Sequence, residues 1–86
     1  MIERERSYRG ISLRAAIHYL ETVGGEQVDD ATVVGEGWRA SVSAETVPIG
    51  PSLELTEVTV VFESDDPERL DPLVERFSQK AIRAGG

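Results

Sequence analysis

Few residues of this chain have both the type and the spacing to make or break a bond. The most suggestive are the last two, Gly85-Gly86. An unbranched diglycine end can thread a narrow enzyme channel. Without a Cβ its carboxylate is unhindered toward attack on ATP, and an acyl adenylate can pass to a thiolate, to sulfide or to a lysine amine. The plain alternative is a fraying tail: at average glycine usage a Gly-Gly end arises in roughly 0.5% of chains. Lys80 is the only lysine. It is therefore the only internal side-chain acceptor for such a transfer, and equally a solvated cation suited to a helix C-terminus.

The other candidates have structural readings. His18 is the single histidine and has no cysteine or second histidine near it, whereas a metal site needs three or four ligands. Asp29-Asp30 and Asp65-Asp66 flank turns, where aspartate supports Asx-turns and helix caps. Gly35-Glu36-Gly37 lacks the third glycine of a dinucleotide fingerprint and reads as a hairpin turn. Trp38 starts a strand and reads as a core or rim aromatic. Val47, Pro48, Ile49, Gly50 and Pro51 make an apolar loop that prolines stiffen, which lowers the entropy lost on docking. It is a candidate partner-binding loop, or else Val47 and Ile49 tuck under a sheet edge.

The elements that must position these groups follow from periodicity. Residues 3–9 are charged, with Ile2 and Tyr8 as apolar members, as on an edge strand. Ser12 can cap a helix whose stripe is Leu13, Ala16, Ile17, Leu20 and Val23, stopped by Gly24-Gly25. Arg14, His18 and Glu21 take its wet face. Residues 26–30 read as a polar connection and 31–34 as a short strand. Trp38, Ala40, Val42 and Ala44 alternate with polar residues, the mark of a half-buried antiparallel strand. Residues 46–52 read as a loop. Leu53 and Leu55 have the opposite parity to Val58, Val60 and Phe62, so 53–64 is predicted as one bulged strand or two short ones. A first turn at 67–70 and a full helix from Asp71 to about 81–83 spare Pro72 from breaking an interior bond. The stripe of that helix is Leu70, Leu73, Val74, Phe77 and Ala81. The predicted fold is α+β: a two-layer sandwich of order β-α-β-β-β(β)-α, with both helices on one face of a three- to five-stranded antiparallel sheet.

Eighty-six residues make one domain, with 84–86 expected as a flexible tail. No cysteine is present, which removes disulfides, thiolate metal sites and a cysteine nucleophile. Sixteen acidic residues against nine basic give a net charge of −7, which argues against nucleic-acid binding. No apolar run of about 20 residues spans a membrane, and the charged start is no signal peptide. The expectation is a cytoplasmic protein without an active site or cofactor of its own. Arginine in excess of lysine, with acidic charge, resembles the proteins of salt-loving archaea.

Two family resemblances join these readings. The acidic, cysteine-free chain ending Arg83-Ala84-Gly85-Gly86 resembles the small archaeal ubiquitin-like modifier proteins. That resemblance implies conjugation through Gly85 and Gly86, with an adenylating activating enzyme and target proteins as partners; ATP and magnesium would belong to that enzyme. The body contains Tyr8-Arg9-Gly10-Ile11-Ser12-Leu13-Arg14, Gly37-Trp38-Arg39-Ala40, Val47-Pro48-Ile49-Gly50-Pro51-Ser52 and Leu55-Thr56-Glu57-Val58. It resembles the C-terminal domain of proteins related to the small, sulfur-carrying subunit of molybdopterin synthase. This implies a TATA-binding-protein-like fold rather than a β-grasp, and a non-catalytic interaction domain as the other function. A small-molecule pocket between helix and sheet is a third. In a β-grasp modifier the diglycine follows a strand; here it follows a helix. The modifier reading therefore predicts that the last helical turn frays from about Lys80.

Overall fold

Ser12 opens the first helix as its spacing predicts: its hydroxyl accepts the Ala15 N–H at 3.0 Å. Gly24, at φ +106°, takes the chain off the end of that helix, a conformation that favours glycine. The computed structural model describes residues 1–85, with side chains described through Ile82. In chain order the elements are β1 (Ile2–Arg9), α1 (Leu13–Thr22), β2 (Glu26–Asp29), β3 (Thr32–Gly35), β4 (Trp38–Pro48), β5 (Glu54–Ser64) and α2 (Pro67–Gly85). The five strands form one antiparallel sheet ordered β1-β5-β4-β3-β2. Both helices lie on one face of it. This is the α+β sandwich, in the order expected of the TATA-binding-protein-like arrangement.

The core sits between that face and the helices. Trp38, Ala40 and Val42 of β4, Val58, Val60 and Phe62 of β5, and Val33 of β3 are buried against Ile17, Leu20, Leu70 and Phe77. Phe77 is the hub. Its ring meets Tyr8, Phe62 and Tyr19 edge-on, with centroids 5.3, 5.5 and 6.3 Å away. Such edge contacts add stabilisation beyond area burial. The Tyr8 hydroxyl shares a 2.6 Å hydrogen bond with Ser78, and Arg4 Nε reaches Asp71 at 3.2 Å. Both contacts tie edge strand β1 to α2.

Several expectations change. Residues 26–30 are not a mere connection: Glu26–Asp29 pairs with β3. All four residues of β2 are exposed, so no apolar alternation marked it. β3 begins one residue late, at Thr32. The loop expected at 46–52 is shorter, because β4 and β5 stay paired out to Pro48↔Glu54. There is no bulge or break near Thr56-Glu57. β5 is continuous, and Leu53 and Leu55 simply face away from the helices, 64% and 37% exposed. The last helix starts at Pro67, not Asp71. The Asp66 carboxylate accepts the Glu68 N–H at 3.0 Å and so caps it. Pro72 lies inside the helix, at the cost of one backbone bond.

Candidate functional site

The helix that leads to the diglycine is held by a stripe. Leu70, Leu73, Val74, Phe77 and Ala81 are all buried, recurring at the three- and four-residue steps of one helix face. Among the described side chains Ala81 is the last anchor, only 2% exposed, whereas its neighbour Ile82 is 67% exposed. Lys80 is exposed and lies with Thr22, Val23, Arg76 and Gln79 around a shallow cleft. The helix extends to Gly85, beyond the end expected at 81–83 and without the fraying from about Lys80 that the modifier reading predicts. Gly86, on which the conjugation reading rests, lies outside the described residues, as does part of the tail expected at 84–86.

The second candidate, the segment 47–51, is the tip of an arm. β3 pairs with β4 only from Trp38 to Ser41, while β1 leaves β5 at Glu57. Beyond those points β4 and β5 continue alone as a two-stranded ribbon. Val47 faces Leu55 across it, and the Ile49 N–H donates to the Leu53 carbonyl at 2.9 Å. Val47 is half-buried and Ile49, like Pro48, Gly50 and Pro51, is exposed. Val47, Ile49, Leu53 and Leu55 thus form one apolar strip. Neither Val47 nor Ile49 is tucked into the core. Leu53 and Leu55 are the members that the sequence reading assigned no site role. Their parity clash with Val58 was the signal that could have found them. The arm shows in the dimensions of the molecule, 43 × 23 × 22 Å, and in a radius of gyration of 13.0 Å against about 12 Å for a compact chain of this length.

Of the remaining candidates, Asp29, Asp66 and Trp38 serve the fold. His18 is exposed beside the Tyr19 ring. Asp29 accepts the Ala31 N–H at 2.9 Å. That bond, helped by the Thr32 hydroxyl, holds its carboxyl below the ordinary value. Asp66 is spent on the helix cap. Among the described residues no group of His, Asp or Glu is arranged to hold a metal. Trp38 is buried in the core, as expected, and packs against Gly35, where a Cβ would strike the indole. Beside it an open cleft of about 360 Å³ runs between the end of α1 and the start of α2. Arg69 crosses it and donates to the Glu36 carbonyl at 3.0 Å. Among the described residues no helix is long and apolar enough to cross a membrane.

The described residues thus form an α+β body with a projecting apolar arm and a long last helix that leads toward the diglycine. The model of the archaeal MoaD-like protein family matches residues 4–86, and the chain belongs to that family. It is thereby a small protein related to the sulfur carriers of molybdopterin synthesis. No curated protein matches the chain.

Proposed function

We propose that this chain is a sulfur carrier or protein modifier that reacts through the carboxylate of Gly86. The observation that supports this most is the family match, which runs to residue 86 and so includes the diglycine. The chain supplies the electrophile, and a cytoplasmic adenylating enzyme supplies ATP, magnesium and catalysis. The Gly86 carboxylate oxygen attacks the α-phosphorus of ATP; an acyl–O–P bond forms and pyrophosphate leaves. Sulfide then attacks the acyl carbon, the C–O bond to AMP breaks, and a thiocarboxylate results. A lysine amine in place of sulfide loses a proton and forms an isopeptide bond, again releasing AMP. Gly85 gives access, Gly86 is the acyl group, and Lys80, exposed, is the one internal acceptor.

Reach sets the condition. α2 extends to Gly85, and a helix rises only about 1.5 Å per residue, which leaves little reach for a channel. Ala81 is docked in the core, so release of residues 82–86 alone lengthens the reach to about 17 Å. Transfer therefore requires the helix to unwind beyond Ala81.

The chain is expressed in its own host with and without Gly85-Gly86, and intact-mass and tryptic spectra are compared. The intact tail is expected to yield a thiocarboxylate, or lysines carrying Ala84-Gly85-Gly86 after cleavage at Arg83. Neither product with the intact tail means that the carrier reading is wrong. The second reading, a non-catalytic interaction domain associated with molybdenum-cofactor or sulfur-transfer proteins, is favoured by the exposed arm and would survive that result.

A further inference from the structure

We propose that the outer edge of β4 beyond Val42 is a strand-addition site for an extended, basic partner segment. The edge follows from the ladder. The Val42 N–H donates outward to the Ala31 carbonyl at 2.8 Å, and backbone direction alternates along a strand. The N–H and C=O groups of Ala44 and Thr46 therefore point outward too, past the end of β3. Among the described residues nothing pairs with them, and both residues are exposed. Such a row of free groups is a template for another strand. From Ala44 to Pro48 it extends about 14 Å.

The side chains state what the added strand must carry. On the face away from the helices, Glu45, Val47 and Ile49 follow one another at two-residue steps. Glu45 stands opposite another carboxylate, Glu57, and Glu57 already holds Arg9 at 3.0 Å. Glu45 has no cation within ion-pair distance among the described residues. A complementary segment places lysine or arginine beside Glu45 and apolar side chains beside Val47 and Ile49, alternating with residues of any type. A second copy of this chain is a poor occupant. Each copy carries a net charge of −7, and paired β4 edges would bring further carboxylates together. The inference rests on the edge and does not depend on Gly86.

The probe is the capped heptapeptide lysine-threonine-valine-threonine-valine-threonine-lysine, which reads the same in both directions. Its counterpart carries glutamate at both ends. Amide exchange of the full chain is followed by NMR as each peptide is added. The lysine peptide is expected to slow exchange at Ala44 and Thr46, and the glutamate peptide to bind about tenfold more weakly. Thr46→Pro removes an outward N–H without touching the β5 ladder and should abolish protection. Glu45→Lys, at an exposed position, should reverse the peptide preference. Unchanged exchange at both amides, equal binding of the two peptides, or undiminished binding by Thr46→Pro would overturn the proposal. So would peptide-free protection that grows with protein concentration, which would mark self-pairing instead.

Discussion

The two ends of the β4–β5 ladder share strands, register and alternation, yet they meet different fates. At one end Trp38, Ala40 and Val42 lie beside Val60 and Phe62 under two helices, and all are buried. At the other, Ala44 and Thr46 keep the same parity but are exposed, because neither helix extends over them. The apolar residues there, Val47, Ile49, Leu53 and Leu55, change to the opposite face. An apolar face becomes core only where a second layer covers it. Past that layer, apolar residues are free to serve docking.

This contrast can be broken by substitution. The largest effect is expected at the hub: Phe77→Ala should lose about 3–5 kcal/mol by chemical denaturation, since the ring is fully buried among three others. Gly35→Ala should lower the melting temperature by an amount matching about 1–3 kcal/mol, because the added methyl meets the Trp38 indole. Ser12→Ala should cost about 1 kcal/mol through the lost cap. On the arm, Leu53→Ser should change stability by less than about 0.5 kcal/mol, as its exposed side chain predicts. If Leu53→Ser destabilised the chain as Phe77→Ala does, the arm would be core and the contrast would vanish.

The smallest effect concerns pH. The Asp29 carboxyl is lowered in the folded state by the Ala31 N–H. Its contribution is therefore present at neutral pH and is lost as pH falls through the folded value. The melting difference between the wild type and Asp29→Asn should shrink on acidification below about pH 4. A constant difference would detach that bond from the carboxylate charge.

Where cover and pattern coincide, the sequence spoke clearly. The Ser12 cap, the α1 stripe, the edge position of β1 and the alternation of Trp38, Ala40 and Val42 all read directly. β2 did not, because a strand wet on both faces has no apolar period. Residues 46–52 of the arm read as a loop because Pro48, Gly50 and Pro51 dominate turn signals, although Pro48 sits at the strand end, facing outward, where a missing N–H breaks no ladder bond. The pattern places the full helix at Asp71 to spare Pro72, whereas α2 starts at Pro67 with Pro72 inside it. Packing of Leu70, Leu73 and Phe77 outweighs one lost hydrogen bond. The diglycine was visible at once, but what it can do depends on a helix end whose hold on the core no pattern of two glycines reveals.

Carrier chemistry at Gly86 requires α2 to be divided at Ala81, docked before it and releasable after it. Native-state hydrogen exchange along that helix tests this directly. Amides near Phe77 should exchange with the slowest class in the body, while those of 82–84 exchange orders of magnitude faster, at a rate consistent with local opening. Strong protection from Ala81 through Ala84, equal to that at Phe77, would contradict the carrier reading.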